Sequence, residues 1–384
     1  GAWCATTTPP TWCENRAVTA VDPIVIVGGG TAGCIVARTL AGMTDRHLVL
    51  IEPGQLTDDD NPRFLDGLTP ATVTDIAGMP QAVALGGGSA VNGMILSGDE
   101  PQWLQGLTSI ARVSDAGSVG RLLLSAGGRL SRLWWNNGRW NPARAMLHVE
   151  EEERLTVVAG SALRILTEGD TAIAVECEGR VIRASHVVVC AGAIGSARLL
   201  LASGIGENVG EGLQNHPTVS FTFRRIDDDR GTFDAAVVMD IDDGDVSGLV
   251  VAFERQSAQD PDRALLTVSL MNPESRGSVS PKRVDFNLLG TVRDREAMSR
   301  LVQQAREVLN RMNVTDFDES PIHPVSHVTS SCAGSVDHRG RVRGTVNVTV
   351  ADASVLPSVP HETPAASVTI EALRIARLLG RELS

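Results

Sequence analysis

Three glycine-rich turns and a few histidines carry most of the chemistry open to this sequence. The first turn, Gly28-Gly29-Gly30-Thr31-Ala32-Gly33, follows the apolar run Pro23 to Val27 and leads into a helical stretch from Cys34 to Leu40. A second apolar run, His47 to Ile51, ends on Glu52, 19 residues beyond Gly33. Strand, G-x-G-x-x-G, helix, strand, acid is the order that seats a dinucleotide. Gly28 makes the tight turn, Gly30 lets the backbone approach a diphosphate, and Gly33 packs the helix on the sheet. The helix N-terminus faces the phosphates, and Glu52 accepts hydrogen bonds from a ribose diol. These residues alone do not separate FAD from NAD. The second turn lies in Ala84-Leu85-Gly86-Gly87-Gly88-Ser89-Ala90-Val91-Asn92-Gly93-Met94. Three successive glycines and a small residue permit close backbone approach to something flat or charged. The third, Ala191-Gly192-Ala193-Ile194-Gly195-Ser196, feeds a helix that stops at Ser203-Gly204-Ile205-Gly206.

Eight histidines offer bases near neutrality, while the absence of tyrosine excludes any mechanism that needs a phenol. His323 and His327 stand four apart, but Pro324 rules out the helix that would bring both to one metal, so no metal site is expected. The six cysteines form no framework. Cys34 and Cys190 read as small buried hydrophobes, and Cys177 belongs to a strand. Cys4 and Cys13 could pair, within a Thr/Pro-rich start (residues 1–20) that reads as a flexible N-terminal extension.

The 384 residues are enough for two to three domains at about 150 residues each. With 34 basic and 46 acidic side chains the net charge is −12, which argues against a nucleic-acid surface. No apolar run reaches the ~18 residues of a membrane span, and no signal-peptide pattern opens the chain. The expectation is a soluble, cytoplasmic enzyme.

The elements that must position these residues are read from periodicity. Leu155–Val158, Ala162–Leu166, Ala172–Cys177 and Val181–Cys190 read as strands, several joined as hairpins. Residues 219 to about 290 are mostly strand-like. A helix spans about Asp294 to Met312, with Met298, Leu301, Val302, Ala305 and Leu309 on one face. A strand, Val346–Val350, precedes a last helix from about Ala365 to Leu379, with Gly380 as its stop. Trp134, Trp135 and Trp140 read as packing residues, and Glu150 to Glu153 as a solvated face.

Taken together, these motifs resemble the glucose–methanol–choline (GMC) family of FAD-dependent alcohol oxidoreductases, from about Asp22 onward. The glycine turn with Leu50-Ile51-Glu52-Pro53-Gly54 is similar to the family's FAD fingerprint. Leu85 to Met94 resembles its first signature, and Gly192 to Gly206 its second, with Ala197 at a usual proline or serine. Val209 to Pro217 resembles a further element, with Asn215 for the usual Asp, and Asn272 to Val279 another. The resemblance implies an α/β fold: a Rossmann-type FAD-binding domain with a smaller α+β substrate domain built on an antiparallel sheet. The implied division is 21–104, 150–225 and 325–384 for FAD, and 105–149 and 226–324 for substrate. It further implies FAD contacts from Gly28, Gly30, Thr31, Ala32, Gly33, Glu52, Gly86, Gly87, Ser89, Asn92, Gly93, Met94, Leu163, Ala191, Gly192, Asp352, Ala353, Thr363, Pro364 and Ala365.

Pro324 to Cys332 resembles the segment that carries the family's first catalytic histidine, at His327, with Cys332 as scaffold. His361 matches the second position, which is His or Asn. The Asp352-Ala353-Ser354 element would meet the FAD through backbone and carboxylate, and the helix opening at Pro364-Ala365 would turn its amides to the flavin. The implied activity oxidises an alcohol to a carbonyl, by hydride transfer to flavin N5 with a histidine base. The electrons go to oxygen, a quinone or another carrier, with a dehydrogenase preferred. An alcohol oxidase, a hydroxynitrile-lyase-like member without net redox and a flavin-binding protein without catalysis are the alternatives. The chain is short for this family between Glu52 and Leu85, between Trp103 and Asn141, and between Arg225 and Leu265, which implies a reduced substrate wall.

Overall fold

Runs of apolar residues with no polar alternation can be satisfied only where both faces of a strand are covered. Ile24–Val27, Leu48–Glu52 and His186–Val189 are such runs, and every residue in them is buried. The computed structural model describes residues 22–58, 60–97, 115–135, 137–147 and 153–384, with the backbone of 111–112. The 1–20 extension with Cys4 and Cys13, and most of the acidic run at 150–153, lie outside the described residues. The three buried runs join two further strands in a five-stranded parallel sheet, in the order Leu155–Ala159, Leu48–Glu52, Ile24–Val27, His186–Val189, Val348–Val350. The order reverses direction at Ile24–Val27, which places the crevice of a doubly wound sheet at the end of that strand.

A six-stranded antiparallel sheet forms the second layer system: Asp318–Glu319, Thr218–Arg224, Arg263–Leu270, Val246–Phe253, Ala235–Asp243, Arg129–Leu130. Thr218–Arg224, at the end of the 150–225 segment, pairs along its length with Arg263–Leu270 in this antiparallel sheet. The helix Val292–Arg311 packs on this sheet, its Leu301 lying against Gly248. A continuous apolar core joins both sheets. Among the described residues, no helix is long and apolar enough to cross a membrane.

Two expectations are corrected. The run Val181–Cys190 is not one strand: Arg180–Arg183 closes a three-stranded hairpin sheet, and His186–Val189 enters the parallel sheet. The break falls at Ser185, whose N–H donates to the Pro23 carbonyl at 3.0 Å and whose hydroxyl donates to the Asp22 carbonyl at 2.8 Å. Gly380 does not stop the last helix, which runs Ala365–Leu383. A Cβ there would lie 2.7 Å from Met43 Sδ, so the glycine allows close packing on the loop that follows the helix Thr31–Ala41. The tryptophans pack: Trp134 and Trp140 lie 5.1 Å apart between ring centroids, and Trp135 meets Phe233 edge-on.

Candidate active site

The glycine turn is built by backbone contact. Gly28 has φ +99°, and a Cβ at Gly33 would sit 1.8 Å from the Gly28 carbonyl oxygen. The helix Thr31–Ala41 starts there with no side-chain cap and no acid in its first turn, so its leading N–H groups and positive dipole end are left for an anion. Glu52 closes the far side. One carboxylate oxygen accepts from the Gly29 N–H at 2.7 Å and the other from the Gly54 N–H at 2.8 Å. Each oxygen keeps a lone pair for a hydroxyl. Burial raises the Glu52 pKa, and the two amides oppose that rise.

The second glycine turn docks on the first. Gly86 N–H donates to the Gly29 carbonyl at 2.8 Å, and Thr31 and Ser89 share a hydrogen bond at 2.8 Å. A Cβ on Gly87 would lie 2.6 Å from Gly30 Cα, and one on Gly86 would lie 2.2 Å from Asn141 Oδ1. These two glycines therefore serve contact within the chain; only at Gly88 would a Cβ meet open space. Asn92 Oδ1 accepts from the Met94 N–H and from Arg139, whose guanidinium also bonds the Asn92 carbonyl at 2.6 Å. That clamp holds Gly93 and the Met94 backbone (φ +61°), while the Met94 side chain is buried.

The remaining cofactor candidates lie in the hairpin sheet, after the strand His186–Val189 and in the C-terminal segment. Gly192 is open on its Cβ side, and its N–H donates to Asp352 at 2.8 Å. Asp352 is buried, and both its oxygens are occupied, by Gly192, Ser196, Ser354 N–H and the Ser354 hydroxyl. Burial raises its pKa against those four donors. The carboxylate expected to meet the FAD is thus spent inside the protein, and the backbone at Asp352 and Ala353 is what remains. Leu163 is the extra residue of a β-bulge opposite Glu176 and Cys177, and is 49% exposed. Ala191 N–H is held by Ser196. Thr363 is fixed by Ser97 and the Ile95 carbonyl, and Pro364 and Ala365 open the uncapped last helix. An uncapped helix end, an acid with lone pairs to spare and two glycines facing open space fit a dinucleotide cofactor.

The histidines come together through a short antiparallel pairing of residues 214–218 with 323–329. Gln214 and Thr329 exchange backbone hydrogen bonds at 3.1 and 3.0 Å, as do Thr218 and His323 at 3.1 and 2.9 Å. Between them, Asn215 grips Val325 in both directions: its amide donates to the carbonyl at 2.6 Å, and its amide oxygen accepts the N–H. The aspartate usual at this place could only accept. His216 then faces His327, Nδ1 to Nδ1 at 2.9 Å, with the rings perpendicular. The other His216 nitrogen, Nε2, lies 3.0 Å from the Pro360 carbonyl oxygen. Burial pushes the His327 pKa down to about 4, and that of His216 well below its ordinary value, with the neighbouring His327 adding to the effect. On its other side the His327 segment is tied to the Asp352-Ala353-Ser354 element, Ser330 to Ala353 and Cys332 to Ser354. Cys332 is buried, and its thiol is pushed up to about 12.

His361 directly follows Pro360, is exposed, and lines a cavity of about 270 Å³ with Ser97, Asp240, Ser247, Met271 and Glu362. Of the two histidines singled out in the sequence, His327 is thus reached through His216, which stands between it and the loop of His361. His216 lies inside one of the family-like segments, where sequence alone assigns it no role.

Residues 126–218 match the N-terminal part, and residues 273–372 the C-terminal part, of the family described as GMC oxidoreductase. The chain belongs to the GMC oxidoreductase family. It is similar to an uncharacterized GMC-type oxidoreductase of Rhodococcus erythropolis, 23% identical over 93% of this chain and 98% of that one. That alignment runs over 496 positions, so the relative carries segments that these 384 residues lack. An oxygen-dependent choline dehydrogenase of Vibrio vulnificus is 26% identical over 33% of this chain and 29% of its own length. Among solved structures, pyridoxine 4-oxidase from Mesorbium loti has a TM-score of 0.78 at 20% identity, covering 93% of this chain and 99% of that one. Formate oxidase of Aspergillus oryzae has 0.74 at 16%, covering 94% and 98%. The fold is that of GMC flavoenzymes, a Rossmann-type FAD-binding part with a substrate part, and the protein is an FAD-dependent oxidoreductase.

Proposed function

We propose that this GMC member oxidises an alcohol to the carbonyl compound and passes the electrons to a carrier. The observation that supports this reading is the His216–His327 contact, which leaves a neutral imidazole with one nitrogen unbonded among the described residues, on a segment tied through Ser330 to Ala353. Bound FAD supplies the acceptor for the hydride that leaves the carbinol carbon. His327 takes the hydroxyl proton, a task for which its lowered pKa keeps it unprotonated at neutral pH. His361, open to the cavity, donates a hydrogen bond to the same oxygen and keeps the C–H bond oriented. FAD is held by the turn Gly28 to Gly33, Glu52, Gly88 to Met94, Leu163, Ala191, Gly192, Ala353 and Thr363 to Ala365.

The cavity wall mixes polar groups (Ser97, Asp240, Ser247, Glu362) with apolar ones (Leu249, Met271, Pro360), which suits a small alcohol of mixed character. The segments missing relative to the longer family member favour a bulky acceptor over a sealed oxygen site. The test is anaerobic mixing of the yellow holoprotein with a panel of alcohols. Bleaching of the flavin absorbance is expected, with return of colour on adding a quinone faster than on adding oxygen. His327→Gln should slow the bleaching on the order of 10²-fold or more. Carbonyl and cyanide released from a hydroxynitrile with no bleaching would overturn the redox reading.

A further inference from the structure

We propose that His216 is a positioning residue that fixes the tautomer of His327, so that its bare nitrogen is Nε2. The inference rests on the reading of His327 as the proton acceptor, and it begins from what can be a donor at each contact. The Pro360 carbonyl only accepts, so the His216 Nε2 3.0 Å away carries a hydrogen. His216 has no exposed surface, a setting in which a charged imidazolium is disfavoured, so its ring stays neutral. A neutral ring with hydrogen on Nε2 has a lone pair on Nδ1. The two Nδ1 atoms are 2.9 Å apart, a distance that requires one hydrogen between them, and only His327 can supply it.

His327 is therefore the Nδ1–H tautomer, and its Nε2 makes no hydrogen bond to any described residue. On taking a proton at Nε2, His327 keeps its Nδ1–H on His216, so the ring need not turn during the transfer. A free imidazole samples both tautomers, and in the one with hydrogen on Nε2 the nitrogen facing the substrate could not accept the proton. The arrangement does with a neutral ring and a backbone carbonyl what a carboxylate does in hydrolytic triads. The cross-strand register explains why His216 and no other group fills the place: Gln214 opposes Thr329, so the residue two further on opposes His327.

The test reads the tautomer directly, on holoprotein carrying ring-15N histidine, with the His327 signals assigned by their loss in His327→Gln. Couplings from the ring nitrogens to the ring C–H protons are expected to show hydrogen on Nδ1. His216→Asn places an amide oxygen near the vacated Nδ1 and should keep that tautomer. His216→Gln places its amide near the vacated Nε2 and should leave His327 mixed, with flavin reduction slowed about tenfold or more at unchanged substrate KM. Hydrogen on Nε2 in the wild type, or a His216→Gln protein with wild-type tautomer and rate, overturns the proposal. The wild-type spectrum alone decides it if neither variant folds. If the tautomer is as stated but His327→Gln bleaches at the wild-type rate, the proton-acceptor reading fails and the tautomer assignment stands.

Discussion

The glycine turns and the histidine cluster solve the problem of placing chemistry in opposite ways. Around Gly28–Gly33 the geometry is enforced by absence: side chains are removed until two backbones can touch, and the tolerance is a fraction of an ångström. Around His327 it is enforced by presence: a second histidine, an asparagine and a proline carbonyl are joined by contacts that span 110 to 144 residues of chain. The first kind of site fails by overlap. The second fails by losing a partner while the fold survives.

The largest effect after that of His327 should come from the first kind. Gly33→Ala would drive a Cβ into the Gly28 carbonyl, and no flexible side chain is there to yield. Overpacking of this type costs about 1–3 kcal/mol, and more where backbone must move, so FAD affinity should fall up to roughly 10²-fold. The flavin-to-protein absorbance ratio of the purified variant, followed by titration with FAD, measures it. A variant that purifies fully yellow would mean the turn has slack that the distances deny.

That contrast also explains what could be read from the sequence. A glycine turn is local, so the spacing of Gly28, Gly30, Gly33 and Glu52 displays its geometry along the chain. The parallel strands were legible because burial on both faces leaves no polar alternation. The tripeptide Gly86-Gly87-Gly88 was legible as a close approach, but not as an approach of the chain to itself, because Asn141 and Gly30 arrive from distant positions. The turn at Ser185 and the role of Gly380 depend on Asp22 and Met43, far away in sequence. His216 was hidden for the same reason: its meaning depends on register with 323–329, which no periodicity announces. His327 and His361 were found by resemblance, not by spacing.

A smaller effect separates the two histidines themselves. His361 is exposed and its ring makes no hydrogen bond among the described residues. Its loss removes one bond to substrate oxygen, so His361→Ala should slow anaerobic flavin reduction about tenfold, about the worth of one hydrogen bond. A loss equal to that of His327→Gln would make it the base instead.

The smallest concerns a buried acid outside both sites. Glu254 accepts from the Val119 and Gly120 N–H groups at the start of the helix Ser118–Ser125, and burial raises its pKa to about 7. Between its ordinary value of 4.5 and about 7 the folded state holds a proton that the unfolded state has lost. The wild type therefore gains stability at this site as pH falls through that window. Its Tm minus that of Glu254→Gln should rise by about 2 °C between pH 8 and pH 5. A difference that is flat with pH would remove the buried carboxylate from the stability balance.

The last helix lies against the loop leaving the first, at Gly380 and Met43, and the final strand Val348–Val350 borders His186–Val189. During synthesis the cofactor crevice therefore waits for more than three hundred residues between its opening strand and its closing layer. The nascent βαβ unit must keep an uncovered apolar flank from sticking elsewhere through that interval. A ribosome that stalls before residue 365 would release a chain whose cofactor half has no lid for its core, and such a product is a substrate for chaperones and proteases long before it can meet a flavin.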